Sequence, residues 1–111
     1  MGYKGKTDIL QQLREANTDR VEAFGHTLNG WSLTDWACAV AGETGELCNL
    51  IKKKHRGDNI DDEDIAREAA DIVIYLDLLM QRSGRDLHRA VVKKFNEKSD
   101  QIKSDIKLTL Y

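Results

Sequence analysis

The sequence predicts an all-α protein, and three observations lead to this prediction. Proline is absent from the 111 residues, long stretches separate the eight glycines, and apolar residues make up 41% of the chain. The apolar residues recur mostly at three- and four-residue steps, which is the spacing of one helix face. A chain of this length builds one core. We therefore expect a single domain over residues 7–106, a four-helix-bundle-like core with an additional N-terminal helix.

The first helix should follow a loose arm of residues 1–6, which carries two glycines and two lysines. It should begin at Thr7 and end at Gly25. The glycine-bracketed segment that comes next, 25–31, should be a loop. The apolar stripe of this helix consists of Ile9, Leu10, Leu13, Ala16, Val21 and Phe24.

The second helix has a clear start signal. Ser32 and Asp35 have the spacing of a capping box, with Asp where Glu or Gln is more usual, so the helix should begin near Leu33. It should run to about Lys54 and end in a run of cations before Gly57, which suits the negative end of the helix dipole. Its middle has little polar surface, so we expect it to be buried on more than one side.

The only cysteines, Cys38 and Cys48, both fall in this second helix. Their separation along a helix axis would be ~15 Å. A disulfide needs Cα atoms within about 7 Å of each other, so the two cannot bridge within the chain. We expect two small buried thiols in a reducing compartment.

An acidic connection over 57–64 leads to the third helix, which should reach about Arg82. This helix is apolar nearly all round, so it should be the most buried one. Such an apolar helix in so short a chain also indicates that a second subunit covers part of it, and we expect dimerisation to complete the core. The helix should be capped by one of three aspartates, Asp61, Asp62 and Asp64.

Ser83 and Gly84 should break the third helix. A fourth helix should begin near Asp86, with apolar residues as far as Ile106 and charged residues between them. The tail, 107–111, alternates polar and apolar residues, and this pattern fits either a strand or an irregular end.

Composition argues against two classes of partner. The net charge is −2 and the isoelectric point is near 5.9, so the basic surface expected of a nucleic-acid-binding protein is missing, although free nucleotides are not excluded. The sequence has no apolar run of ~18 residues, and no hydrophobic region follows the first basic residues. We therefore expect no membrane partner and a cytoplasmic location.

Four acidic residues interrupt the apolar helices in two pairs. Residues three apart project from the same face of a helix, so Glu43 with Glu46, and Glu68 with Asp71, each form a two-carboxylate clamp. Acids at this spacing often belong to a solvated face, but Asp71 stands in a stretch with hardly any polar surface. Buried carboxylates repel each other unless a cation balances them, and carboxylate oxygens favour hard cations. We therefore predict a Mg²⁺ site, which Mn²⁺ could also fill.

Two glycines, Gly42 and Gly45, flank Glu43 inside the second helix. Each is less favourable than alanine by roughly 1 kcal/mol in a helix interior. Two explanations stay open, and they are compatible. A neighbouring helix approaches closely, or the phosphates of a ligand need room beside the metal.

Other metal chemistries do not fit the sequence. A di-iron bundle needs Glu-x-x-His, and the residues three before the histidines are Ala23, Lys52 and Arg85. The zinc-hydrolase pattern His-Glu-x-x-His and a Cys-x-x-Cys pair are both absent. A site built from acids alone is typical of phosphate chemistry, in which Mg²⁺ bridges a polyphosphate and activates water.

The ordered combination of motifs resembles the MazG-like nucleoside triphosphate pyrophosphohydrolases over roughly residues 31–100. The resemblance implies an all-α homodimer or homotetramer that uses Mg²⁺, held by Glu43, Glu46, Glu68 and Asp71, to split a nucleoside triphosphate, chiefly a deoxynucleoside one, into monophosphate and pyrophosphate. Water would attack the α-phosphorus, and either Glu43 or Glu46 would orient it. The chain departs from the common pattern at Gly42, where another acid often stands. The motifs are GETGEL at 42–47, EAADIVIYL at 68–76, GRDL at 84–87 and KFNEK at 94–98.

The resemblance also implies substrate-binding residues. Lys94 and Asn96 match polar positions on the last core helix that face the substrate. Trp31 or Trp36 would stack on the base, with core packing as the alternative. Among the cations that end the second helix, we select Lys53 for phosphate binding, although such an end is ordinarily solvated.

Two other functions remain open. Phosphoribosyl-ATP pyrophosphohydrolase belongs to the same superfamily and shares the acid pairs. A non-catalytic helical interaction module with a structural metal ion would also use four clustered acids.

Overall fold

The computed structural model describes residues 8–25 and 27–109, and within these ranges the chain is helical and contains no strand. The all-α prediction is confirmed, with the N-terminal helix as one of the four. The predicted arm at residues 1–6 lies outside the described residues. The elements are α1 (Ile9–Arg20), two 3₁₀ turns (Val21–Phe24 and Leu28–Gly30), α2 (Leu33–His55), α3 (Asp62–Arg82) and α4 (Leu87–Gln101).

Each α-helix begins at a side-chain cap. In α2 the predicted capping box is confirmed, because the Ser32 side chain accepts from the Asp35 amide and Asp35 accepts from the Ser32 amide. Asp61 caps α3 by accepting from the Glu63 amide. The other two helices are capped by Asp8 and Asp86. Such caps satisfy amides that have no partner inside the helix.

Helix α3 is the centre of the fold. It packs along α2, contacts α1 on another side, and touches α4 near its end. The small apolar core lies where α3 meets the start of α2 and the turn after α1. It contains Val21, Trp36 and Leu78, against which four partly buried residues pack, Leu28, Trp31, Tyr75 and Leu79. Helix α3 is therefore central, but the prediction that it is the most buried helix is not confirmed. It has two buried residues, Asp77 and Leu78, and α4 has three, His88, Val92 and Ser99.

The prediction that α2 is buried on more than one side is wrong for the single chain. Its main contact is with α3, and Ala37 and Ala41 are exposed. Cys38 and Cys48 are free, as expected, but both are exposed rather than buried. Small side chains expose little apolar area even when they face water, so their presence alone does not show that a surface is covered.

Helix α4 ends at Gln101, earlier than the predicted reach to Ile106. Lys103 adopts a left-handed conformation with φ of 58°, and the amide of Ser104 donates to the carbonyl of Ser99 at 2.8 Å. This closes the helix. The chain then continues without regular structure as far as residue 109.

No helix in the described part of the chain is long and apolar enough to cross a membrane.

Candidate metal centre

The α2–α3 pair brings the predicted acids together. One carboxylate oxygen from each of Glu43, Glu68 and Asp71 lies within 4.8 Å of the other two. Glu46, one turn after Glu43, interacts with both Glu43 and Glu68. The structure therefore gathers the two sequence pairs into one group, which we call the acid cluster: Glu43, Glu46, Glu68 and Asp71.

The cluster contains carboxylate oxygens that the chain does not satisfy. Glu43 and Glu68 are half-buried, and the Oε2 atom of each is buried without a hydrogen-bond partner among the described residues. A buried polar atom without a partner is unfavourable, and such atoms are few in native proteins. A bound cation or a donor from outside the chain would satisfy both oxygens.

Electrostatics confirm that the cluster is unfavourable when all its members are ionised. The pKa of Glu43 is raised to about 7, first by burial and then by the nearby charges of Glu46 and Asp71. Burial also raises the pKa of Glu68, with Glu46 as the next cause. Both shifts have the sign expected when desolvation and like charges disfavour a carboxylate. A bound cation would reverse the effect of the like charges.

The donor set fits Mg²⁺. All four side chains offer oxygen, which hard divalent cations prefer, and two of the oxygens are buried without another partner in the described structure. Carboxylates at this spacing could each provide one ligand while water completes an octahedral shell.

Of the two alternatives for Trp36, base stacking and core packing, the structure favours core packing. Its side chain is fully buried, its indole Nε1 donates to the Leu28 carbonyl at 3.0 Å, and its ring centroid lies 4.7 Å from that of Trp31 and 6.3 Å from that of Tyr75. A ring in this position has no free face for a base, so Trp36 is a core residue. Trp31 is half-buried and keeps an exposed part.

The structure also gives Asn96 a different contact from the predicted one. Its amide Nδ2 donates to the Leu108 carbonyl at 3.0 Å, and its Oδ1 accepts from the Leu108 amide at 2.8 Å. The side chain therefore holds the segment after α4 and is not free to bind a substrate. Lys94 lies exposed on α4, a helix that packs against α1 and α3.

The cations at the end of α2 differ in their partners. Lys54 contacts Asp62, and the Arg56 Nη2 lies 2.7 Å from an oxygen of Asp58. Lys53 is half-buried. No ion pair is found for it among the residues that the structure describes.

Sequence reasoning passed over Asn49. This residue lines a shallow depression on α2 together with Glu46 and Lys52. The signal that could have found it is the helical spacing, because residues 46, 49 and 52 follow one another at three-residue steps.

A scan against protein-family models gave no match, and searches of curated proteins and of solved structures gave none either.

Proposed function

We propose that the protein is a Mg²⁺-dependent nucleoside triphosphate pyrophosphohydrolase, with deoxynucleoside triphosphates as the chief substrates. The observation that carries the proposal is the convergence of three carboxylates from two helices, with Glu46 interacting with two of them. The buried Oε2 atoms of Glu43 and Glu68 have no hydrogen-bond partner in the described structure. The motif resemblance supplies the reaction, and the geometry is consistent with it.

The acid cluster would hold the metal, and one of its carboxylates would also accept the proton of the attacking water. Bound Mg²⁺ would offset the negative charge on the phosphate oxygens. Either Glu43 or Glu46 would accept a hydrogen bond from the attacking water and take its proton as the water oxygen bonds to the α-phosphorus. The bond from the α-phosphorus to its bridging oxygen then breaks, and pyrophosphate leaves with that oxygen.

The active form would be a homodimer or homotetramer. Val73 on α3 and both Val91 and Phe95 on α4 are large apolar residues with 41%, 40% and 43% of their surface exposed. Exposed apolar side chains on the central helix and its neighbour are typical of an interface with another subunit. Light scattering on the purified chain would measure the assembly.

The test is a panel of nucleoside and deoxynucleoside triphosphates, together with phosphoribosyl-ATP, scored for pyrophosphate release with Mg²⁺ and with chelator. We expect metal-dependent release that falls by about 10²-fold or more in Glu46→Gln and Asp71→Asn. Glu97→Gln, which removes an exposed acid on α4, is the matched control and should keep full turnover. Normal turnover in both cluster variants would show that the acid cluster is not the active site.

Thermal denaturation separates an enzyme from a module with a structural ion. In an enzyme, a non-hydrolysable deoxynucleoside triphosphate with Mg²⁺ should raise the melting temperature more than Mg²⁺ alone, because a ligand stabilises the state that binds it. A structural ion site would give the full increase with Mg²⁺ alone.

A further inference from the structure

The exposed side of α2 carries a row of polar and glycine residues that starts at the acid cluster. A shallow depression of about 520 Å³ is lined there by α2 alone, by this row together with Cys48. A second depression of about 460 Å³ adjoins it and shares Asn49 and Lys52 with it. We call this row the polar strip: Gly42, Gly45, Glu46, Asn49 and Lys52.

The two glycines keep the polar strip open. A Cβ atom built on Gly42 or on Gly45 would meet no atom within 4 Å. No neighbouring helix of the described chain therefore approaches these positions, although close approach was one of the two explanations that the sequence left. The other explanation, room for a ligand beside the acid cluster, agrees with what is seen.

The strip ends in Lys52, a cation with no ion-pair partner among the described residues. Lys54 and Arg56 are paired with Asp62 and Asp58. Lys52, in contrast, lines both depressions, and no ion pair is found for it in the described part of the chain. Lys53 also has no ion pair among the described residues, but of these two lysines only Lys52 lines both depressions.

The polar strip is negative at the acid cluster and positive at Lys52. This arrangement suits a polyphosphate that is bound to a metal at one end and to a cation at the other. Glu46 belongs to the acid cluster, and Lys52 follows it by six residues, or ~9 Å along the helix axis. An anion held by a metal at the cluster could extend towards Lys52. On the way, the Asn49 amide can donate a hydrogen bond, and the Lys52 ammonium can donate charge-assisted ones.

We infer that the polar strip binds the pyrophosphate half of the triphosphate, so that the leaving group lies over Asn49 and Lys52. The nucleoside would then lie towards the start of α2, where Trp31 packs on Trp36. This inference rests on the proposed function and adds an orientation to it. In the reaction, Lys52 would offset the charge that gathers on pyrophosphate as the bridging oxygen leaves the α-phosphorus.

The experiment measures binding of inorganic pyrophosphate by calorimetry in the presence of Mg²⁺, without any turnover. We expect Lys52→Gln to raise the Kd by about ten- to thirtyfold, the loss that follows removal of one charge-assisted hydrogen bond. Asn49→Ala should raise it by less. Lys93→Gln, which removes an exposed cation on α4, is the matched control and should bind like the unmodified chain. Circular dichroism would check that all variants keep their helix content.

A glycine variant gives a second, independent readout. Gly45→Ala places its methyl group in open space within the chain, so it should raise the melting temperature through better helix propensity. If phosphate binds against the polar strip, the same methyl group should weaken pyrophosphate binding, because it would occupy space that the phosphate needs. A higher melting temperature with unchanged pyrophosphate binding would overturn the inference.

Two other outcomes would also overturn it: equal pyrophosphate binding in Lys52→Gln and the unmodified chain, or no pyrophosphate binding by the unmodified chain. The proposed function is judged separately, by release of pyrophosphate from deoxynucleoside triphosphates. A chain that binds pyrophosphate through Lys52 but hydrolyses no nucleotide would refute the function and keep the strip as a diphosphate site. The opposite result is also possible: the unmodified chain hydrolyses nucleotides, and Lys52→Gln binds pyrophosphate equally well. That result would keep the proposed function and refute the strip as a diphosphate site.

Discussion

Helix α3 carries two aspartates in very different surroundings, six residues apart. Asp77 faces α1 and is 1% exposed, and its Oδ2 accepts hydrogen bonds from Asn17 Nδ2 and Gln81 Nε2, both at 2.9 Å. Asp71 faces α2 and meets other carboxylates. The chain surrounds one aspartate with amide donors and the other with acceptors.

This difference separates a structural acid from a candidate ligand. The Oδ1 of Asp77 has no hydrogen-bond partner among the described residues, but the two amides on Oδ2 compensate part of the desolvation of the carboxylate. The amides belong to the folded chain, so this contact stabilises the fold without any outside group. In the acid cluster the groups that meet are all carboxyls, and under the proposed function a cation from solution would balance their charge.

The largest expected effect is on the free energy of unfolding, and it should differ between variants of Asp77 and Asp71. Asp77→Ala should lower the free energy of unfolding by about 2–3 kcal/mol, because it leaves a cavity and removes an acceptor from the buried Asn17 amide and the partly buried Gln81 amide. Asp71→Ala, measured in chelator, should change it little or raise it, because repulsion within the cluster falls. Urea denaturation would measure both.

Asp62→Ala provides the surface control for these two variants. Asp62 is an exposed acid that pairs with Lys54, and such pairs contribute about 0–1 kcal/mol. If Asp71→Ala in chelator destabilised the chain as much as Asp77→Ala, contacts inside the chain would be holding the cluster, and the case for a cation would be lost.

The next effect is the pH dependence of the metal-free chain. The pKa of Glu43 is about 7 in the folded state, raised from its ordinary value of 4.5. Between these values the folded state binds more protons than the unfolded state, so the stability contributed by Glu43 falls as pH rises from about 4.5 to about 7. In chelator, the melting temperature of the unmodified chain should therefore drop more between pH 5 and pH 7.5 than that of Glu43→Gln. Equal drops would show that Glu43 does not titrate in this range.

Mg²⁺ should change this pH profile. A cation at the cluster favours the ionised carboxylates, so saturating Mg²⁺ should reduce the drop for the unmodified chain and have little effect on Glu43→Gln. The comparison isolates the cluster because titrating groups far from it contribute equally to both chains.

Much of the fold could be predicted from the sequence, because the signals that set it are local. The capping box at Ser32 and Asp35, the helix stop before Gly57 and the apolar faces of α2 and α3 all act within a few residues. The two acid pairs could be found for the same reason, since three-residue spacing fixes their direction. Their meeting then required only that the two helices pack together.

The errors concern properties that no local pattern encodes. The small residues of α2 look buried in sequence, but whether another element covers Cys38 or Ala41 depends on the path of the rest of the chain. Trp36 could equally fill a core or face a ligand, and the packing of Tyr75 and the turn at Leu28 decided for the core. The motif resemblance assigns Asn96 to the substrate. Its contact with Leu108 instead depends on a return of the chain through a left-handed Lys103, which the sequence does not signal.

The smallest expected effect concerns this last contact, which is the exposed counterpart of the Asn17–Asp77 pair. Both hydrogen bonds between Asn96 and Leu108 are open to water, so Asn96→Ala should lower the free energy of unfolding by only about 0.5–1 kcal/mol. The effect should be local. Backbone amide exchange should become faster after Ser104, where the Asn96 side chain holds the chain against α4, and should stay unchanged in α2 and α3. If exchange accelerated in α3 instead, the segment after α4 would be supporting the core, and the division between buried and surface amide contacts would not hold.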